Sequence, residues 1–336
     1  MSEDGILILT EDEVRSLLEG RESELIDTVR AAYEAHARGE TSLPQSSFLT
    51  FPADRSSRII ALPAYLGGEY DSAGIKWVAS FPSNLSLGLN RASAVVILNS
   101  PKTGRAKAIL EGSAISARRT AASAALAAQF LHSGPSVSRI GVIGCGVISL
   151  EIIRFLRAVY DAAGVFVIFD VDARRAHQFA QRCQSLFDGV EIRVAACVEE
   201  VLSECLLSAF ATTALEPHVL DLSCCAAGST ILHVSLRDIS ARAILSADNV
   251  VDDIDHVCRA QTSVHLAEQS VGHRDFIRCT LPDILIGAAT PRSSNGRVCI
   301  FSPFGLGILD IAVSNLVYSR ALVEQSGHMI ESFYTT

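Results

Sequence analysis

Between residues 11 and 38 apolar positions recur at helical spacing. Val14, Leu17 and Leu18, then Leu25, Ile26, Val29 and Tyr33, mark one face, and the spacing predicts helix over the whole stretch. Short β-rich runs follow: SFLTFP, RIIALPAYL, AGIKWVASF and ASAVVILNS. Pro and Gly turns separate them, which predicts an antiparallel or mixed sheet rather than βαβ units. An Ala-rich helix is expected next, from about Ser116 to Leu131, ended by Gly134-Pro135.

From Arg139 the pattern changes. RIGVIGCG reads as a strand, LEIIRFLRAVYDA as a helix, GVFVIFD as a strand and ARRAHQFAQRCQSLF as a helix. EIRVAAC, the helical VEEVLSECL and apolar runs at LSAFATTA, STILHVSL and NVVDDID continue the series. Strands alternating with helices predict a parallel sheet with helical crossovers. The last apolar stretch, ILDIAVSNLVYSRALVEQ, is helical with no strand expected after it. It is expected to pack back onto the N-terminal part, making that domain discontinuous.

At 336 residues the chain exceeds one ordinary hydrophobic core, so two domains are expected. Apolar residues at 49% and charged residues at 19% describe a globular chain. A net charge of −9 argues against a nucleic-acid binder or a polybasic membrane-surface protein. The start, MSEDGILILTEDE, lacks the basic and apolar regions of a signal peptide. Thr120 to Ser138, the longest run without Asp, Glu, Lys or Arg, is mostly Ala and Ser and too weakly apolar to span a bilayer. The nine cysteines form no CxxC pair, and the adjacent Cys224 and Cys225 are expected as buried small residues in a strand. A soluble protein of a reduced compartment, the cytoplasm, is expected, with no metal site.

Chemistry concentrates at RIGVIGCGVISLEIIRFL. Gly144 and Gly146 allow a tight turn and let backbone N–H groups approach a pyrophosphate at a helix N-terminus that opens with Val147. Ser149 stands where a third glycine is usual; it is small enough for close packing and adds a hydroxyl. The strand before, the helix after and Asp170 ending the next strand complete the context that a dinucleotide site requires. Asp170 suits a ribose diol and would repel a 2′-phosphate, which favours NAD over NADP. Arg174 and Arg175 could hold a phosphate instead, or be solvated helix charges.

Basic residues occur in unexpected places in the first domain. Lys76 interrupts the apolar run AGIKWVAS, where it either snorkels to the surface or holds an anion. Arg118 and Arg119 fall in the expected first turn of the Ala-rich helix, where a cation is slightly unfavourable unless an anion is held there too. Arg91 precedes a buried-looking strand. Asp238 follows STILHVSLR, beyond the carboxyl end of a parallel strand, where it is placed to meet a substrate or to cap and pair locally, for example with Arg237.

Taken together, GIKWVASFPSN, EGSAISARRTAASA, GVIGCGVIS and HVSLRDIS resemble the ornithine cyclodeaminase and μ-crystallin family, in matching order from about residue 40 to 315. In finer detail SLPQSSFLTFP, RIIALPAYLGG, NRASAVVILN and VVDDIDHVCRAQTSVHLAEQ resemble its N-(2-amino-2-carboxyethyl)-L-glutamate dehydrogenase branch, which supplies L-2,3-diaminopropionate for siderophores and peptide antibiotics. The resemblance implies an α/β fold. A Rossmann-type parallel-sheet NAD domain would cover residues 119–311, and a discontinuous α+β substrate-binding and dimerisation domain residues 1–118 and 312–336. It implies Lys76 and Arg119 as substrate-carboxylate binders, with Lys76 also in the catalytic set. Asp238 would be the acid/base, and Gly144, Gly146, Ser149 and Asp170 the NAD site.

The chain departs from the cyclodeaminases in three places. Pro44-Gln45-Ser46-Ser47 replaces a carboxylate-binding arginine, Arg91 a small polar residue, and Leu236-Arg237-Asp238 a GGD. These departures point away from ornithine cyclisation and towards a more anionic substrate, with Arg91 as a further carboxylate binder. The expected partners are a small amino-acid-derived substrate and a second copy of the chain, with no nucleic acid and no membrane. Another oxidoreductase activity of the family, or non-catalytic binding of a nucleotide and a small ligand, are the alternatives.

Overall fold

The computed structural model describes residues 4–132, 137–293 and 296–334. Gly134 and Pro135 lie outside the described residues. The chain forms two compact units, Met1–Arg119 with Leu306–Thr336, and Thr120–Gly305. No helix of the described residues is long and apolar enough to cross a membrane.

The first unit holds β1 (Ile6–Leu9), α1 (Glu11–Leu18), α2 (Glu22–Ala37), β2 (Thr41–Ser42), β3 (Ser47–Phe51), β4 (Asp54–Leu66), β5 (Ser72–Ser80), β6 (Ala92–Asn99), β7 (Ala106–Glu111) and the start of α3 (Ser113–Leu131). The helix expected over 11–38 is therefore two helices. Gly20, with a φ of +67°, separates them in a conformation that side-chain-bearing residues resist. α3 begins three residues earlier than the apolar pattern indicates, so Arg118 and Arg119 stand beyond its first turn, and the conflict with the helix N-terminus expected there does not arise.

After the second unit's β8 (Arg139–Ile143), α4 (Val147–Val159), β9 (Val165–Phe169), α5 (Ala173–Leu186), β10 (Glu191–Val194), α6 (Val198–Glu204), β11 (Leu207–Phe210), β12 (Thr230–His233), α7 (Ala241–Ser246), β13 (Asp248–Val251), α8 (Ile254–Val257), α9 (Ser263–Val271), β14 (Ile277–Thr280), α10 (Leu281–Leu285) and β15 (Cys299–Ser302), the chain returns to the first unit with α11 (Gly307–Glu324) and β16 (His328–Ile330). A junction at 311/312 would cut α11. Instead the whole helix belongs to the first unit. Gly307 is pressed on β4 so closely that an added Cβ would meet the Ala64 Cβ and the Leu62 carbonyl at 3.2 Å each. β16, which no apolar pattern indicates, pairs antiparallel with β1.

The first sheet runs β16-β1-β7-β6-β5-β4-β2, with β3 also on β4. It is antiparallel apart from the β1–β7 pair. Because successive side chains alternate faces, Leu62, Lys76 and Val96 share one row and one face, while Ala61, Trp77 and Val95 share the other. α11 packs against β4, β5 and β6 on the Lys76 face, where Leu66, Val96 and Leu98 are fully buried. On the opposite face Leu49, Tyr65, Trp77 and Val95 remain exposed.

The second sheet is parallel throughout, in the order β10-β9-β8-β11-β12-β15-β13-β14. Chain order reverses direction between β8 and β11, the switch point at which open α/β sheets bind ligands. Phe210, Ile231, Ile244 and Ile300 are among the fully buried side chains of its core. Cys224 and Cys225 are not in a strand, contrary to expectation. They sit in the turn before β12, half-buried against that core, since Asp221 and Ser223 bond each other and turn the chain.

Candidate active site

The strongest local structure is the turn after β8. Gly144 adopts a φ of +92°, and an added Cβ would lie 2.6 Å from the Ala211 carbonyl, so only glycine fits beside the end of β11. At Gly146 the corresponding position is open, with nothing within 4 Å. Gly146 caps α4 without a side-chain hydrogen bond, and Val147, the first helical residue, is 48% exposed. The first N–H groups of a thirteen-residue helix therefore face an open cradle at its positive end. Ser149 is fully buried and donates its hydroxyl to the Gly144 carbonyl, fastening the turn to the helix. Its hydroxyl is spent inside the protein.

Asp170, just past β9, accepts from the Cys145 and Asp172 backbone N–H groups at 2.9 Å each. The carboxylate is thus fixed at the far side of the turn, with the Arg175 guanidinium 3.8 Å away. A cavity of about 540 Å³ joins these parts, lined by Gly144, Gly146, Asp170, Glu199, Thr212 and His218 among others. An elongated ligand with an anionic middle and a diol at the Asp170 end fits this donor set, which is what a nicotinamide dinucleotide offers. A second recess of about 330 Å³ beside Asp221 and Arg242 shares none of these residues.

Asp238 is fully buried, past the end of β12. Thr212 and Ser235 donate their hydroxyls to its two oxygens. His218 Nε2 lies 3.1 Å from Oδ1, and His233 Nε2 lies 3.3 Å from Oδ2. Burial alone would raise its pKa, but the hydrogen bonds from His218, His233 and Ser235 and the charge of His233 outweigh it and hold the carboxyl well below the usual range. The adjoining backbone is strained: Leu236 adopts a φ of +74°, a conformation that glycine would take freely. The strained segment is tied down by the Ser263 N–H on the Leu236 carbonyl and by Arg237, whose guanidinium bonds the Ala260 and Gln261 carbonyls. Asp238 does not line the cavity. His218 does.

In the first unit Lys76 and Arg119 converge on a carboxylate of the chain itself, which the sequence did not reveal. Asp310, fully buried on α11, receives Lys76 Nζ at 2.7 Å on Oδ2 and Arg119 Nε at 3.0 Å on Oδ1. Lys76 also donates to Ser116 at 3.2 Å. Two cations share one carboxylate, leaving a buried net positive charge. Burial, with the neighbouring Arg119 charge, lowers the Lys76 pKa to about 8 despite Asp310. Arg118, the neighbouring arginine, donates to the Leu18 carbonyl.

Arg91 is half-buried, and its neighbour in charge is another arginine. Arg58, on β4, pairs in register with Ser80, and the next residue, Phe81, donates its N–H to the Arg91 carbonyl. Burial and the Arg58 charge lower the Arg91 pKa. Both Nε atoms are buried without a hydrogen-bond partner among the described residues. Arg58 was not apparent from the sequence, because strand register alone brings it to Arg91. It shares the sheet face of Lys76, four residues along β4 from Leu62, the register partner of Lys76.

The family model for the ornithine cyclodeaminase/mu-crystallin family matches residues 6–325. The chain is 30% identical to an alanine dehydrogenase of Archaeoglobus fulgidus, over 97% of this chain and 98% of that one. It is 26% identical to the N-((2S)-2-amino-2-carboxyethyl)-L-glutamate dehydrogenase of Staphylococcus aureus, over 90% of this chain and 91% of that one. Among solved structures it is similar to an archaeal alanine dehydrogenase dimer with bound NAD, with a TM-score of 0.86 and 29% identity over 97% of this chain and 99% of that one.

Proposed function

The chain belongs to the ornithine cyclodeaminase/mu-crystallin family and is an NAD-dependent oxidoreductase of C–N bonds, and we propose that its substrate is N-(2-amino-2-carboxyethyl)-L-glutamate, cleaved to 2-oxoglutarate and L-2,3-diaminopropionate. When bound, NAD supplies the acceptor for the two electrons of the glutamate Cα–H bond. The chain positions it through the turn at Gly144 and Gly146, the N-terminus of α4 at Val147 and the Asp170 carboxylate; Ser149 braces that turn. Oxidation leaves a C=N bond, to which water adds. Collapse of the resulting carbinolamine separates the two products. Asp238 supports the proton movements of addition and collapse.

One observation carries the choice of substrate: Arg58 and Arg91 each hold a buried Nε donor without a hydrogen-bond partner among the described residues, and the charge of Arg58 bears on Arg91. A like-charged pair of this kind is stabilised by a shared anion, and an arginine holds a carboxylate through two parallel hydrogen bonds. Lys76 and Arg119, with the net positive charge that Asp310 leaves, accept another carboxylate. A three-carboxylate amine offers ligands for both clusters, whereas ornithine has a single carboxylate and a second amine that both would repel. The supply of diaminopropionate to siderophore or peptide biosynthesis follows from this substrate.

The exposed apolar face of Leu49, Tyr65, Trp77 and Val95 supports a homodimer formed through the first sheet. Nine free cysteines support a reduced compartment, the cytoplasm.

The test is substrate titration of the wild type and Arg91→Ala with the three-carboxylate amine, ornithine and simple imino acids. Arg91→Ala is expected to weaken binding of the three-carboxylate amine by about 2–4 kcal/mol and to leave NAD affinity unchanged. A wild type that prefers ornithine, or a variant that binds the amine as the wild type does, refutes the substrate.

A further inference from the structure

We propose that His218 is the catalytic proton carrier of this site, and that Asp238 acts through it. The proposal rests on the NAD-cavity reading above. The two residues divide the work by exposure. The His218 side chain is 39% exposed and lines the cavity, whereas the Asp238 side chain is 0% exposed and does not. A carboxylate shut away from the cavity exchanges no proton there directly. The imidazole in contact with it does.

Backbone and ring contacts together fix the imidazole. The backbone N–H groups of His218 and Val219 both donate to the Asp238 carbonyl at 2.9 Å. Val219 also forms a β-bridge with Ile239, so the two segments are held side by side. The ring lies 6.2 Å from that of Phe210. Nε2 points at Asp238 Oδ1, 3.1 Å away. Because Asp238 is held ionised, it accepts the Nε2 proton and fixes that tautomer, leaving the lone pair on Nδ1. Among the described residues nothing hydrogen-bonds to Nδ1, so that nitrogen is available to a ligand. The chemistry is that of a base oriented by a carboxylate behind it. The charged groups that His218 meets are Asp238 directly, His233 across Asp238, and Glu199, Arg175 and Asp170 along the same cavity.

The proton balance closes on one imidazole. As water oxygen bonds to the carbon of the protonated imine, one water proton passes to Nδ1, giving a neutral carbinolamine. The imidazolium returns that proton to the amine nitrogen. The C–N bond then breaks with its electron pair on nitrogen, C=O forms, and the hydroxyl proton passes to Nδ1 and on to solvent. The net release is one proton per amine cleaved, with the neutral imidazole restored.

Two readouts test the assignment on the full-length protein. In the first, turnover, its pH profile and NADH affinity are compared for the wild type and His218→Asn. The expected result is a fall in kcat of about 10²-fold, loss of one limb of the profile, and NADH affinity within about twofold. An unchanged kcat and profile overturn the proposal. In the second, nitrogen NMR of labelled histidines reads the His218 tautomer without any substrate. The expected form is Nε2–H in the wild type, with that preference lost in Asp238→Asn. An Nδ1–H tautomer in the wild type overturns the proposal whatever the substrate. If the three-carboxylate amine is not turned over, the substrate reading fails by itself. The pH comparison is then made with L-alanine or pyrroline-2-carboxylate, where proton transfer at a C–N bond is still required.

Discussion

Each unit buries an ionic cluster, and the two are opposites. In the first, two cations, Lys76 and Arg119, divide one carboxylate, Asp310, so the cluster is short of negative charge. In the second, one carboxylate, Asp238, receives two hydroxyls and the His218 imidazole, while His233 Nε2, 3.3 Å from Oδ2, accepts the Asp238 backbone N–H, so its lone pairs are well supplied with donors. A buried cluster short of an anion gains most when an anionic ligand completes it. A carboxylate already saturated has little capacity left for a ligand and acts by orienting its neighbours. Under the proposed function the same residue types, carboxylate and base, would serve capture in one unit and chemistry in the other, according to which is in excess.

The largest test of this contrast is Asp310→Asn. Two buried cations would be left facing each other, at a cost of about 3–5 kcal/mol in folding stability. Denaturant unfolding measures it, and citrate, as a stand-in anion, should restore part of the loss. An unchanged midpoint would mean that Lys76 and Arg119 do not depend on Asp310.

Asp238→Asn comes next. Turnover should fall about 10²-fold, with NADH affinity retained. Stability should fall by about 1–3 kcal/mol as the donors around it lose their acceptor. Steady-state kinetics beside thermal unfolding separates the two effects. A stability loss with full turnover would leave Asp238 a purely structural group.

The smallest effect is a pH dependence. The folded-state pKa of Lys76 is lowered from 10.5 to about 8. Below about 8 it is charged in both states, and its buried charge weighs against folding. Between about 8 and 10.5 the unfolded chain keeps the proton that the folded chain has lost, so this contribution to stability rises with pH. Substrate capture moves the other way. KM for the carboxylate substrate should climb above pH 8, by up to about tenfold per unit, while NAD affinity holds steady. A KM that is flat across this range, or one mirrored in Lys76→Arg, would remove Lys76 from anion capture.

Legibility in the sequence followed distance along the chain. The turn at Gly144 and Gly146, α4 and Asp170 lie within one strand–helix–strand unit, and local pattern alone placed them together. Asp310 is 191 residues from Arg119 and sits on an apolar helix, where nothing marks it as the counter-ion of two distant cations. Arg58 meets Arg91 only through strand register. His218 reads as an ordinary loop histidine until the Val219–Ile239 bridge brings it to Asp238. The break between α1 and α2 is hidden in the sequence because the apolar spacing continues across it, although Gly20 marks the place. β16, at three residues, is too short for alternation to register.

The most direct measurement is a product balance. The protein is mixed with NAD+ and N-(2-amino-2-carboxyethyl)-L-glutamate, and NADH, 2-oxoglutarate and diaminopropionate are counted. Equal amounts of all three are predicted, with formation strongly reduced in Arg91→Ala. NADH formation without 2-oxoglutarate, or no reaction beside ready turnover of ornithine or L-alanine, would contradict it.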